Sequence, residues 1–349
     1  MRSHRLILSA VLVVALAASG CEIDLAGSAP PTDPSGSTPV EPSLTPVALT
    51  VGLGYIPSVQ FAPFYLAQQA GYYMEAGLDV TFRHGTDYDV VTLVGQGALD
   101  VGIADGTSVI PAVSQGIPIR YIATIYGQFP SIVFAKASSG IADAADLKGR
   151  KIGIPRRDGS SWVMLQALLG SVGATAEDVS IREYPDYGQL AAVSNDAVDA
   201  ATGFANNEPV QLERSGEKVV ILRVDQVTPL PGPGLIAGTT TLEAKREPIA
   251  AFVAATLQAM EEIVARPEVG LEAALVAVPE LASDREGQAA ILDATIESWK
   301  APLSSTRGLG AIDRDGWTKS IEYMTKLGLV ARPVTVDDAV LEDLLPAGG

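Results

Sequence analysis

Residues 47–104 read VALTVGLGYIPSVQFAPFYLAQQAGYYMEAGLDVTFRHGTDYDVVTLVGQGALDVGIA. Three apolar runs stand out, at 47–54, 78–82 and 99–104, and each has strand character. Between them, 61–70 and 88–95 read as helices, with Gly71-Tyr72-Tyr73 as a turn. Strands alternating with helices at this short spacing predict parallel β-α-β units. The runs are continuous in Val, Ile and Leu rather than alternating, as expected of strands covered on both faces. Reading on, 108–114 gives a further helix and 119–126 a fourth strand.

The same grammar then restarts. Strands are expected at 131–135, within 146–155, and at 179–184, 198–203 and 219–224, with helices at 162–172 and 187–193. The run 235–239 turns the chain back towards the first unit. From residue 242 the pattern is helical, at 246–266 with Pro248 near its first turn, then at 270–278, 286–300 and 316–327. Such a tail is expected to cradle a lobe rather than to form a domain. The expected fold class is therefore α/β, with two α/β lobes, the second inserted into the first, a hinge and a cleft between them. The expected bounds are 47–127 and 241–345 for lobe 1 and 128–240 for lobe 2, with crossings near 126–130 and 234–241. Ligands of open α/β sheets bind beyond the carboxyl ends of the strands, and two facing lobes close about a hinge.

Upstream of residue 47 the chain changes character. Met1-Arg-Ser-His-Arg5 is basic, 6–18 is nearly unbroken apolar sequence, and Ser19-Gly20-Cys21 follows. This is the layout of an exported leader over 1–20, its apolar run shorter than the ~20 residues of a spanning helix. Ala18-Ser19-Gly20-Cys21 resembles a bacterial lipoprotein box, which implies lipidation at Cys21. The Leu that such boxes favour three residues before the cysteine is replaced by Ala18. Residues 21–46, rich in Pro, Ser, Thr and Gly, read as an unfolded tether. No later stretch reads as long and apolar enough to span a membrane. The expected location is the cell membrane, lipid-anchored, on the extracellular or periplasmic side.

The 349 residues are 47% hydrophobic and 19% charged, which is ordinary globular composition. The formal net charge is −17, and losing Arg2 and Arg5 with the leader makes it −19. Such a chain repels phosphate backbones, so nucleic acid is not an expected partner. With one cysteine and two histidines, no intrachain disulfide and no Cys/His metal cluster can form. No metal or cofactor is expected, and no nucleotide-binding loop, nucleophile elbow or zinc signature stands out.

Several segments together resemble the NMT1/THI5-like solute-binding family. They are GYIPSVQFAPFY at 54–65, GYYMEAGLDV at 71–80, DVGI at 100–103, GIPI at 116–119 and DLKGRKIGIP at 146–155. The resemblance runs from about residue 47 to the C-terminus and is strongest up to Pro155. It implies a type II periplasmic-binding-protein fold and a monomer that feeds an ABC permease and its ATPase. Members bind riboflavin, thiamine pyrimidine precursors, sulfonates and similar compounds. The opening segment is similar to both the riboflavin and the pyrimidine branches, and riboflavin is the first expectation. Fungal relatives are pyrimidine synthases with a cysteine-rich motif, which this chain lacks beyond Cys21, so it is not expected to be an enzyme. A ligand-sensing receptor domain is the remaining alternative.

The candidate contacts sit in loops after strands. Tyr55 and Gln60 follow the first strand, Tyr88 the second and Asp105 the third, and Tyr126 lies at the first crossing. In the second lobe the candidates are Trp162, Tyr184, Asn206, Asn207 and Glu208. A flat heteroaromatic ring needs stacking faces and a few edge hydrogen bonds, which Tyr, Trp, Asn and Gln supply. A sulfonate would instead call on Arg156, Arg157 or the serines at 160 and 161. Phe61, Phe64 and Tyr65, on a helix, read as core. Asp105 could serve only as a helix cap, and His84 reads as a loop histidine.

Overall fold

The computed structural model describes residues 45–226, 229–300 and 303–346, without the side chains of Asp87 and Tyr88. The expected leader, Cys21 and all but the last two residues of the tether lie outside the described residues.

In chain order the first lobe opens with β1 (Val47–Leu53), α1 (Ala62–Gln69), α2 (Tyr72–Glu75) and β2 (Leu78–His84). It continues with α3 (Asp87–Gly95), β3 (Val101–Ala104), α4 (Gly106–Ser114) and β4 (Ile119–Thr124). The chain crosses over and forms β5 (Ser131–Lys136), β6 (Lys151–Ile154), α5 (Gly159–Ser171) and β7 (Ser180–Glu183). Then come α6 (Gln189–Ser194), β8 (Ala200–Phe204), α7 (Glu208–Arg214) and β9 (Val219–Arg223). After β10 (Gly234–Gly238) the chain is helical: α8 (Thr239–Ala265), α9 (Pro267–Ala277) and α10 (Arg285–Trp299). The last elements are α11 (Ser304–Arg307), α12 (Arg314–Lys326) and α13 (Val336–Ala339).

Two five-stranded sheets result, ordered β2-β1-β3-β10-β4 and β7-β6-β8-β5-β9. The β-α-β units are parallel as expected: β1 pairs with β2 and β3, and β6 with β7 and β8. The crossing strands are not. β10 runs antiparallel to β3 and β4, and β5 antiparallel to β8 and β9. Each enters its sheet from the other lobe, so no right-handed helical crossover sets its direction. Because β10 lies inside the first sheet, the second crossing falls between residues 226 and 234, ahead of the bound at 240 expected from the sequence. The two crossings lie together: the Ile125 and Tyr126 amides both donate to the Pro233 carbonyl, at 3.1 and 2.8 Å.

Both sheets are covered on both faces. Along β5, Ile132 and Phe134 join one apolar cluster, with Val193 and Leu212. Val133 and Ala135 join the other, with Met164 and Leu168 of α5. This period of two places every second side chain on the same face. In the first lobe, a Cβ on Gly102 would lie 2.3 Å from Val90 Cγ1, so only glycine lets α3 settle on β3.

Helix α8 is long and apolar enough to cross a membrane by length and composition, contrary to the sequence reading that no such stretch follows the leader. In the fold it is a core helix. Phe252, Val253, Met260 and Ile263 are fully buried in the main apolar cluster of the first lobe. Phe252 stacks on Tyr73 with ring centroids 5.1 Å apart and on Phe64 at 6.3 Å. The helix breaks at Lys245 (φ −131°, ψ 34°), three residues before Pro248. Proline removes one helical N–H and clashes with the carbonyl four residues back, which accounts for the break. Lys245 uses it to reach Asp100, at 2.7 Å, and the Ala48 carbonyl, at 3.0 Å.

The helical tail does cradle the first lobe, and it also touches the second. Trp317, Ile321 and Met324 of α12 belong to a first-lobe cluster. On the same helix, the Tyr323 hydroxyl donates to the Ala167 carbonyl of α5 at 3.0 Å.

Candidate functional site

A cavity opens between the lobes, with about 1080 Å³ of free space counting its mouth. Its walls are the carboxyl ends of the strands. Gly54 and Tyr55 follow β1, Asp105 follows β3, and Ile125 and Tyr126 follow β4. From the facing lobe come Pro155 and Arg156 after β6, Tyr187 after β7, and Gly203 and Phe204 at the end of β8. Open α/β sheets place their ligand crevices here because parallel strands end together while their return helices begin.

The first wall is built on the Tyr55–Phe61 loop. The Tyr55 ring meets Tyr187 edge-on across the cleft, with centroids 4.6 Å apart. The Asn207 side-chain amide lies 3.4 Å from the Tyr55 hydroxyl and donates to it. Burial, with Glu208 nearby, pushes the Tyr55 pKa well up, so the phenol stays protonated. His84 stands behind the loop. Its Nδ1 donates to the Tyr55 carbonyl at 3.0 Å, and its Nε2 accepts from the Tyr65 hydroxyl at 3.2 Å. Burial lowers the His84 pKa, which suits that neutral tautomer. Its role here is to brace the loop.

Gln60 lines the cavity and is tied across the lobes. Asn206 Nδ2 donates to Gln60 Oε1 at 2.9 Å and to Thr295 Oγ1 at 2.8 Å. All three residues are buried. Asn206 is therefore a tie behind the wall, absent from the cavity lining. Asn207 and Glu208 are at the wall, at the start of α7. Glu208 Oε2 accepts from the Phe204 amide at 2.8 Å. Burial nevertheless raises its pKa to about 7, so near neutral pH it is half protonated and can donate as well as accept. A Cβ on Gly203 would lie 2.7 Å from that oxygen, so glycine there makes room for the carboxyl.

Six of the ten cleft residues read from the sequence share this cavity: Tyr55, Gln60, Asp105, Tyr126, Asn207 and Glu208. Asp105 is also the cap of α4. Its Oδ1 accepts from the amides of Thr107 and Ser108 at 3.0 and 3.1 Å and from the Thr107 hydroxyl at 2.6 Å. Tyr126 is buried and meets Phe204 edge-on at 6.5 Å. The side chain of Tyr88 lies outside the described residues. Trp162 is not at the wall. Ser160 and Ser161 in the first turn of α5 face the cavity, and each further residue turns about 100° around the axis. The Trp162 ring packs instead on the second-lobe core, with the Arg157 guanidinium 5.6 Å from its centroid. Tyr184 is not at the wall either. Its amide extends the β6–β7 ladder by donating to the Ile154 carbonyl at 2.8 Å, and its ring lies against the second-lobe core.

Tyr187, Phe204 and Gln189 take the places expected of Trp162 and Tyr184. Tyr187 adopts φ 60°, a left-handed conformation that a bulky residue rarely holds. The Pro185-Asp186-Tyr187-Gly188 sequence marks a turn, but not whether Tyr184 before it or Tyr187 within it faces the cleft. Phe61 and Phe64, read as core, are buried and also form part of the wall. Charge at the wall is mainly negative. Asp105, Asp158 and Glu208 face one cation, Arg156, and Arg156 is paired with Asp158 at 2.9 Å. Arg157 is paired with Glu183 at 3.1 Å.

A family model described as NMT1/THI5 like matches residues 58–269. A riboflavin-binding protein, RibY, of Chloroflexus aurantiacus is 33% identical over 330 residues, covering 90% of this chain and 94% of the relative. A 4-amino-5-hydroxymethyl-2-methylpyrimidine phosphate synthase of Legionella pneumophila is 27% identical over 308 residues, covering 85% and 92%. Among solved structures, the alkanesulfonate-binding protein SsuA from Xanthomonas axonopodis pv. citri, bound to MOPS, superposes with a TM-score of 0.66 at 16% identity. That match covers 85% of this chain and 99% of SsuA, and it shows the fold: two α/β lobes of the type II periplasmic-binding-protein kind.

Proposed function

Because the chain belongs to the NMT1/THI5-like family, we propose that it is the solute-binding component of an ABC importer. In this reading it is anchored through Cys21 on the outer side of the membrane, captures a neutral heteroaromatic compound, riboflavin first, and hands it to a permease driven by an ATPase. The observation that carries the reading is a cavity walled by aromatic rings from both lobes, Tyr55, Phe61 and Tyr126 facing Tyr187 and Phe204. Such walls sandwich a flat ring, while the polar groups between them fix its edge. The carboxylates and the internally paired arginines work against a sulfonate, whose charge would meet like charge. The RibY relative supports riboflavin over the other family ligands.

A second reading has one observation in its favour. A buried carboxyl that titrates near neutral pH, as Glu208 does, can pair with the amino and ring-nitrogen edge of an aminopyrimidine. Titration of the purified protein with riboflavin, following flavin fluorescence, separates the two. Quenching with a micromolar or tighter Kd supports riboflavin. No quenching, together with calorimetric binding of an aminopyrimidine, moves the assignment to the pyrimidine branch. Turnover of either compound would replace the binding-protein reading with an enzyme.

A further inference from the structure

Gln189 opens α6, directly after Tyr187 and Gly188, and is one of the residues that line the cavity. The residue is 2% exposed, and its Oε1 is buried with no hydrogen-bond partner among the described residues. A buried amide oxygen without a partner is costly and uncommon in a native fold. Three other polar atoms of the wall are engaged. Asp105 Oδ1 holds its helix cap, Glu208 Oε2 holds the Phe204 amide, and Gln60 Oε1 holds Asn206. The turn that presents Gln189 is itself strained, because Tyr187 sits at φ 60° with its ring on Tyr55 of the other lobe. Strain of this kind collects at ligand clamps, where the surroundings hold it in place.

We propose that Gln189 is a specificity-determining residue whose side-chain carbonyl accepts a hydrogen bond from the ligand. The ligand is then a neutral ring system carrying a donor, either a ring imide N–H or a hydroxyl of its side chain. This inference rests on the solute-binding reading and deepens it, since it states which edge chemistry the cleft selects.

The test compares the wild-type protein with Gln189→Met, which keeps the volume and removes the amide. Riboflavin, N3-methylriboflavin and lumiflavin, which lacks the hydroxylated chain, are titrated against both. The variant is expected to bind riboflavin about tenfold more weakly. That loss should shrink for whichever analogue lacks the donor that Gln189 accepts. An equal loss for all three ligands, or no loss for riboflavin, overturns the proposal. A ligand-free arm judges the glutamine separately. Relieved of its partnerless oxygen, Gln189→Met should melt roughly 2 °C higher than wild type. A lower melting temperature means that the amide is a structural group and overturns the proposal. Wild-type protein that binds no flavin defeats the riboflavin reading, while the melting arm still decides on Gln189.

Discussion

Glu208 couples the site to pH. Its pKa rises from 4.5 to about 7 because burial disfavours the charged carboxylate. A group that holds its proton more tightly in the fold stabilises the fold fully below its unfolded pKa. That contribution is lost as pH climbs from 4.5 through about 7. Ligand-free protein should therefore lose stability across this window, by roughly 3 kcal/mol at most from this one group. Glu208→Gln should flatten the difference, and urea melts of both proteins at pH 5 and pH 8 would check it. Equal slopes in the two proteins would mean that the carboxyl is not desolvated. At this scale the sequence was a partial guide. Tyr55, Gln60, Asn207 and Glu208 follow strand ends, and a strand end is readable from apolar runs. Tyr184 and Trp162 were misplaced because the direction of a side chain depends on where a ladder or helix starts, and one residue of difference turns it away. Tyr187 depends on a positive φ, which no local pattern in its own sequence announces.

Elements were read more securely than their directions. The parallel units around β1 and β6 follow from alternation and apolar runs, and the break before Pro248 follows from proline chemistry. The antiparallel course of β5 and β10 is a consequence of tertiary layout, since both strands enter from a different lobe and carry no mark of direction. The apolar length of α8 is likewise ambiguous until its partners are known. Those partners imply a clear cost: Phe252→Ala removes a ring held between Tyr73 and Phe64 and should destabilise the protein by about 3–5 kcal/mol. Denaturant unfolding measures it, and a loss under 1 kcal/mol would mean that the site collapses around the smaller side chain.

Across the whole molecule, the ties between the lobes set how tightly the cleft closes. Asn206 reaches Gln60 and Thr295, and Tyr323 reaches Ala167. Breaking the first set should bias the protein towards the open form. Asn206→Ala is expected to weaken riboflavin binding about tenfold, since a ligand draws closure only through its preference for the closed state. X-ray scattering should then show riboflavin compacting the wild type and, at the same concentration, compacting the variant less. An unchanged affinity would make Asn206 a bystander. Farther from the cleft, Cys21→Ser should move the protein from the membrane fraction to the soluble one, because stable anchoring needs the acyl chains. Retention in the membrane fraction would rule out a lipid anchor.

The meeting of the two crossings also makes the halves separable. Thr124 of β4 faces Gly234 of β10 in adjacent strands, and Ile132 of β5 faces Arg223 of β9. The inserted half thus leaves and rejoins its host at almost one spot. A short artificial turn from Thr124 to Gly234 could excise it and leave a receptor with a single jaw. Such a half-molecule, offered to the transporter beside the intact protein, would reveal which jaw the importer grips.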